Sequence, residues 1–190
     1  KKIKRVFFSN NNYQSVGFVR VIEQINDNEI LFAGNKIIIV NNPWQNLNNA
    51  IPELSIKFIT NLQEGNVQAF QKGSNNQLWF GTNKGLYQCS YIDEKIITKK
   101  RYTENTKEFK ITNNNIFSLL KNNNELWIGT FGGGLNKMSL NASQNVSKID
   151  YFRKHDIIPD DAIYGILKEG KDNFWISTDM GLVNFKPTNF

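Results

Sequence analysis

The sequence predicts an all-β protein in which one antiparallel four-stranded unit recurs along the chain. Two observations support this expectation: similar segments return at a constant spacing, and nothing between them has the character of a helix. Three such segments are Gln77–Thr82, Glu125–Thr130 and Asn173–Thr178, whose tryptophans stand 48 residues apart. A further step of 48 residues back reaches Leu31 in a weaker copy. Four copies therefore account for the chain.

Each copy repeats one order of strand-like segments and turns. An apolar segment, a polar turn and the tryptophan-bearing segment follow one another, which is typical of a hairpin. A second turn leads to a third short strand, and a looser β-branched segment supplies a fourth. Many of the 29 asparagines fall in clusters between these segments, where Asn favours turns. The first segments are 17–22, 67–70, 116–120 and 163–167; the third are 85–87, 134–136 and 181–183; the fourth are 54–60, 95–102 and 146–152.

The repeated residues have structural roles. Trp, Phe and Ile suit a central strand buried on both faces, where aromatic and β-branched side chains fill the space between packed sheets. A glycine at the strand end fits either a close approach of neighbouring chain or an unusual φ. The threonines at 82, 130 and 178 are expected to satisfy backbone groups there. The predicted structural core positions are Leu31, Trp79, Trp127, Trp175, Gly81 and Gly129.

A small four-stranded sheet cannot bury its apolar face alone, so the units must stack on one another. A period of about 40–50 residues per four-stranded unit favours the blades of a β-propeller. A β-solenoid is the alternative, although its repeats are usually shorter. We expect one propeller segment over 1–190, with four-stranded blades at about 9–60, 61–103, 104–152 and 153–190. Residues 1–8 would be an outer strand that completes the last blade. The four blades either close into a small ring or form an arc of a seven-bladed one.

Composition excludes several classes of protein. One cysteine, Cys89, forbids an internal disulfide, and a single histidine with it removes the Cys/His zinc patterns, so no metal or cofactor is expected. The net charge is +6, but the basic residues are scattered among acidic ones, which argues against nucleic-acid binding. The longest aliphatic run, 37–40, is far shorter than the ~20 residues of a membrane span. A chain that opens on Lys1 without a leader is expected to be a piece of a longer protein.

The repeats also resemble a known family. The segments 78–82, 85–87, 113–120, 126–130 and 133–135 are similar to the two-component regulator propeller repeat. The resemblance covers three copies well and the first weakly, since the segment around Leu31 lacks the tryptophan and the Gly-Thr pair.

This resemblance implies the periplasmic sensor region of a Bacteroidetes hybrid two-component histidine kinase. Such proteins combine propellers with a small β-sandwich domain, a membrane helix and a kinase, and many of them sense glycan fragments. The segment is then expected to be non-catalytic and periplasmic, and to bind an oligosaccharide. Its expected partners are the neighbouring propeller and sandwich domains and a second copy in a homodimer.

Several residues are candidates for ligand contact. Trp44 falls outside the repeat pattern in a polar connection, where its indole could stack on a sugar; local packing is the alternative. The connection that holds His155 joins a fourth strand to the next first strand, where propellers often place ligand contacts, although a solvated loop is the simpler explanation of it. An extra residue in the turn after Thr130 could push Phe131 onto the face of the ring. The expected ligand-binding residues are Trp44, Tyr102, Phe131, Arg153, His155 and Asp156.

No catalytic residue is expected. His155 lacks an accompanying nucleophile motif, although Asp156 is its neighbour. The glycine run 132–134 is not followed by the Lys-Ser/Thr pair of a phosphate-binding loop. Two other functions stay open: a stand-alone scaffold for protein interactions, in which basic blade edges dock a partner, and a propeller enzyme such as a lyase, which comes last for want of a catalytic cluster.

Overall fold

The computed structural model describes residues 17–41, 56–60, 62–154, 158–171 and 173–186. Within these ranges the chain forms fifteen β-strands in four antiparallel sheets, and no helix. The all-β architecture expected from the repeats is therefore confirmed. The outer strand expected at 1–8 falls outside the described ranges.

Each sheet is a meander in which strands consecutive in the chain pair with one another. The first sheet consists of β1 (Val19–Asn26), β2 (Glu29–Gly34), β3 (Ile37–Asn41) and β4 (Ile56–Thr60). The second consists of β5 (Val67–Lys72), β6 (Gln77–Thr82), β7 (Gly85–Ile92) and β8 (Lys95–Tyr102). The third consists of β9 (Ile116–Asn122), β10 (Glu125–Thr130), β11 (Leu135–Leu140) and β12 (Val146–Phe152). The described part of the fourth consists of β13 (Ile163–Glu169), β14 (Asn173–Thr178) and β15 (Gly181–Phe185).

The first strand of each sheet lies innermost. We call β1, β5, β9 and β13 the inner strands, because β1 lies beside β5, β5 beside β9, and β9 beside β13. The sheets therefore follow one another around a common axis, as propeller blades do. Apolar side chains fill the space between each sheet and the next, in three successive layers.

The tryptophans show how one layer is built. Trp127 is 1% exposed, and its ring lies 4.9 Å from that of Phe174 and 5.9 Å from that of Phe185, both on the fourth sheet. Trp79 and Leu31 occupy the same position in their own sheets and are also fully buried. Burial of these large side chains between sheets removes much apolar surface from water and favours stacking.

Trp175 departs from the expectation that it belongs to the core. Its side chain is 37% exposed, and its indole N–H donates to Glu169 Oε2 at 2.7 Å. The other two tryptophans are covered by the sheet that follows theirs, whereas no described strand packs over the fourth sheet on this side. The position within the repeat is the same; the covering layer is what differs.

Close approach between sheets explains the repeated glycines. A Cβ built on Gly81 would lie 2.5 Å from Ile116 Cγ2, and one on Gly129 would lie 2.6 Å from Ile163 Cγ2. Both isoleucines belong to the inner strand of the following sheet. Of the two explanations open at the sequence level, close approach is therefore the one that applies.

The repeated threonines close the turn after the second strand of the second, third and fourth sheets, as expected. Thr82 Oγ1 donates to the carbonyl of Gly85 at 2.8 Å and accepts from the amide of Lys84 at 2.9 Å. The same pair of bonds recurs at Thr130, with Gly134 and Gly133, and at Thr178, with Gly181 and Met180. Because polar groups buried at a strand end need partners, the threonines are structural residues.

We predict that Trp127→Ala lowers the free energy of unfolding by about 3–5 kcal/mol, since the substitution leaves a large cavity between two sheets. Trp175→Ala is the matched control, because it removes the same side chain from the equivalent, partly exposed position. Trp175→Ala should lower the free energy of unfolding by clearly less than Trp127→Ala does. Urea denaturation of both variants measures the difference, and equal losses would contradict the assignment of the buried layer.

Candidate functional site

All four inner strands carry a β-bulge at the same point, near their start. In β1, Val19 pairs with Gly34 and Val21 with Ala33, so that Arg20 between them has no partner on β2. The same shift recurs in β5, β9 and β13. The four bulged residues, hereafter the bulge residues, are Arg20, Gln68, Phe117 and Tyr164. A bulge re-aims its side chain, and bulges are common beside binding sites.

The bulge residues reach the face of the protein that carries the turns between second and third strands. Tyr164 Oη donates to Asp179 Oδ1, in the turn of its own sheet, at 2.7 Å. Gln68 lines a cavity with Asn35 and Asn83, which lie in the corresponding turns of the first two sheets. We call this the bulge face and define it by the four bulge residues together with Phe18 and Phe131.

Three aromatic rings form one cluster on the bulge face. The ring centroids of Phe117 and Tyr164 are 5.7 Å apart in an edge-to-face arrangement, and Phe131 lies 5.5 Å from Phe117 and 6.0 Å from Tyr164. Phe131 is nevertheless 44% exposed. Its amide donates to the carbonyl of Asn115 at 2.8 Å, and it bridges to Ala162. The exposed rings are therefore held by the backbones of both the third and the fourth sheets.

The hydrogen bond to Asp179 also affects the acidity of Tyr164. By stabilising the protonated phenol, the carboxylate raises the pKa of Tyr164 above its ordinary value. The tyrosine is therefore neutral at physiological pH, with its hydroxyl committed to the carboxylate and its ring available for contact.

A cavity of about 140 Å³ lies beside this cluster, between the first and second sheets. Hydrogen bonds of asparagines connect the residues that line the cavity. Asn35 Oδ1 accepts from the amide of Phe18 at 2.7 Å, and Asn35 Nδ2 donates to Asn66 Oδ1 at 3.2 Å. Gln68 Oε1 is buried there and accepts no hydrogen bond from the described residues. The main lining residues are Phe18, Arg20, Asn35, Asn66, Gln68 and Asn83.

Of the ligand-contact residues expected from sequence, the structure places Phe131 on the bulge face. Arg153 is exposed and lines a different cavity, of about 380 Å³, together with Tyr151 and Lys110. Trp44, His155 and Asp156 lie outside the described residues.

Tyr102, expected to contact a ligand, is buried and lines a further cavity of about 460 Å³. It is 1% exposed between the second and third sheets, and its hydroxyl donates to Gln88 Oε1 at 3.0 Å. Gln88 Nε2 donates in turn to the carbonyl of Gln144, 3.2 Å away on the third sheet. Burial raises the pKa of Tyr102 to about 12.

Sequence reasoning missed all four bulge residues. Each is the second residue of its inner strand and follows a β-branched residue, Val19, Val67, Ile116 or Ile163. An alignment of the four copies would have shown that this position differs in every copy, being Arg, Gln, Phe or Tyr, within an otherwise similar pattern. That variability is the available signal, because core positions of the repeat keep one type of residue.

Among the described residues no three His, Cys, Asp or Glu side chains gather in a group that could hold a metal ion. The thiol of Cys89 is buried, and burial raises its pKa to about 11. The part of the chain that the structure describes holds no helix long and apolar enough to cross a membrane.

A comparison with family models identifies the repeat. The model of the two-component regulator propeller matches residues 61–84 and 110–132. Each matched segment spans an inner strand and the strand that directly follows it. The two segments together include Gln68, Phe117 and Phe131. Two segments of the chain therefore match the two-component regulator propeller repeat. No match was found among curated protein sequences.

Solved structures share the fold at low sequence identity. The extracellular domain of the hybrid two-component system BT3049 from B. thetaiotaomicron is 19% identical with a TM-score of 0.56, and covers 90% of this chain and 27% of that one. The corresponding domain of BT4673 from the same organism is 16% identical with a TM-score of 0.61, at 89% and 20% coverage. A protein named as a 6-phosphogluconolactonase from Bacteroides uniformis is 9% identical with a TM-score of 0.66, at 98% and 55% coverage. This chain thus spans about a quarter of the two-component ectodomains that it resembles.

We predict that Tyr102→Phe makes stability less sensitive to alkaline pH. The folded-state pKa of Tyr102 is raised to about 12, above the ordinary value of 10, so its contribution is complete below pH 10 and is lost as pH rises through 12. Urea denaturation between pH 9 and 12 should therefore show a smaller fall in unfolding free energy for the variant. At pH 8 the lost hydrogen bond should cost about 1 kcal/mol. Parallel pH profiles for the two proteins would contradict the buried placement.

Proposed function

We propose that this chain is an extracytoplasmic, non-catalytic sensor segment of a hybrid two-component system, and that its bulge face binds a glycan fragment. One observation carries the proposal: four inner strands bulge at the same point and so bring the four bulge residues to one face. The two-component regulator repeats and the similarity of the fold to two-component ectodomains support the sensor role.

The chemistry of the bulge face suits a sugar. Exposed aromatic rings offer flat apolar surfaces that stack on the C–H faces of sugar rings, and amide side chains beside them can exchange hydrogen bonds with hydroxyls. Phe131 and Tyr164 supply such rings, and Asn35 and Gln68 supply amides in the adjoining cavity. Because backbone bonds and ring contacts fix these groups before binding, little ordering entropy is lost.

The location of the face explains how binding could be relayed. An oligosaccharide lying across it would contact the inner strands of several sheets at once. Binding would therefore favour one relative arrangement of the sheets, or of this propeller against a neighbouring domain. A signal of this kind needs a ligand that has different affinities for two arrangements of the receptor.

A scaffold for protein interactions is the second candidate, and the open side of the fourth sheet favours it. Leu167 and Leu182 are largely exposed there, close to the partly exposed Trp175. Contiguous exposed apolar side chains are typical of surfaces that pack against another protein or domain. This surface and the bulge face are compatible in one molecule, since a sensor propeller must also contact its neighbours.

The sensor role is tested by the parent reading frame on both sides of this segment. We expect further copies of the repeat, then a single apolar stretch of ~20 residues and a histidine kinase. A frame that encodes neither the membrane segment nor the kinase would overturn the two-component role and leave the scaffold as the better candidate.

We predict that Phe131→Ala weakens glycan binding by about tenfold, because a ring that stacks on the sugar is lost. Isothermal titration calorimetry with the oligosaccharides retained on a glycan array measures the effect. Ile97→Ala is the control, since Ile97 is exposed to a similar degree, 41%, on the outer strand β8. The melting temperature of both variants should stay near that of the wild type. Equal glycan affinity of wild type and Phe131→Ala would contradict the binding face.

A further inference from the structure

Arg20 is a cation held in place by aromatic rings. Its guanidinium carbon lies 5.4 Å from the ring centroid of Phe18 and 5.8 Å from that of Phe117. Stacking of this kind restrains the planar group while leaving its N–H edge free to donate to an oxyanion. Within the part of the chain that the structure describes, no carboxylate forms an ion pair with Arg20.

The carboxylates on the same side of the protein are occupied by other groups. Asp179 accepts from Tyr164, and Glu64 pairs with Arg101 at 2.8 Å. Asp160 Oδ1 and Asp161 Oδ1 accept backbone amides at 2.7 Å each. Each of these side chains therefore has a partner of its own, whereas Arg20 is exposed and lines the cavity.

Gln68 adds an unused acceptor beside Arg20. Both side chains line the 140 Å³ cavity, and Gln68 Oε1 is buried without a hydrogen-bond donor among the described residues. A buried acceptor left unpaired costs free energy, so a ligand hydroxyl that reaches this atom would gain a favourable bond. The cavity therefore offers a donor for an anion and an acceptor for a hydroxyl side by side.

We propose that the bulge face selects an acidic glycan, in which the carboxylate or sulfate of one sugar unit binds the guanidinium of Arg20. A hydroxyl of the same unit donates to Gln68 Oε1, and the neighbouring unit stacks on the aromatic cluster. The two subsites are adjacent because Phe117 contacts both Arg20 and Phe131. This inference rests on the proposed function and adds the class of glycan to it.

The test compares acidic and neutral oligosaccharides of the same linkage. Trigalacturonate and galactotriose differ at the carboxylate, and a sulfated carrageenan oligosaccharide with its desulfated form distinguishes the second source of the oxyanion. Calorimetry should show binding of at least one acidic member at ten or more times the affinity of its neutral partner. Raising NaCl from about 0.05 M to about 0.5 M should weaken that binding, because salt screens the exposed charge.

Variants locate the effect at Arg20. Arg20→Gln should weaken binding of the acidic ligand about tenfold or more, while Arg20→Lys should recover only part of it, since lysine lacks the planar fork. Lys95→Gln removes one exposed positive charge at the start of β8, on the side of the sheet away from the bulge face, and should leave affinity unchanged. Gln68→Leu should weaken binding of the acidic glycan and of any neutral glycan alike.

The outcomes separate this inference from the proposed function. If neutral partners bind as tightly as acidic ones and Arg20→Gln binds like the wild type, the acidic selectivity is wrong while glycan binding stands. If none of the oligosaccharides binds, both are overturned. If Arg20→Gln and Lys95→Gln lose affinity equally, the effect is one of net charge and the assigned contact is wrong.

Discussion

The close approach of β9 and β13 to the sheets that precede them is the contact on which the rest of this structure depends. Ile116 and Ile163 sit where the missing side chains of Gly81 and Gly129 leave room. Any larger residue at those glycines would push the sheets apart, because packed interiors have little free volume. The layers that bury the tryptophans and the convergence of the inner strands on one axis both follow from this contact.

The bulges place polar and aromatic side chains on the surface next to that packed core. A regular strand would alternate its side chains between two buried layers. One extra residue near the start of each inner strand instead turns a side chain toward the rim, and four neighbouring strands do so together. Because the core is already filled by the repeated residues, the bulged positions are free to differ, and they carry a cation, an amide and two aromatic rings.

The fold was largely predictable from the sequence, and the site was not. The positions of strands and turns depend on residues that are close in sequence. They were therefore visible in the spacing of Trp79 and Trp127 and in the Asn-rich turns. Burial of Trp175 depends on whether another layer covers it, and no pattern within the segment contains that fact. Arg20 and Phe117 lie 97 positions apart in sequence yet meet in space, because the inner strands of the first and third sheets both lie near the common axis. The exposed position of Phe131 was predictable because its turn is one residue longer than the turn of the second sheet.

The central claim is that the bulge residues form a single binding face, and a nuclear magnetic resonance titration tests it most directly. Isotope-labelled protein would be titrated in turn with trigalacturonate and with the sulfated carrageenan oligosaccharide while its backbone amides and the Arg20 side chain are followed. The account predicts shifts that saturate together at Arg20, Gln68, Phe117, Phe131 and Tyr164, with β8 unchanged. Shifts confined to the cavity of Tyr151 and Arg153, or none at all, would contradict it.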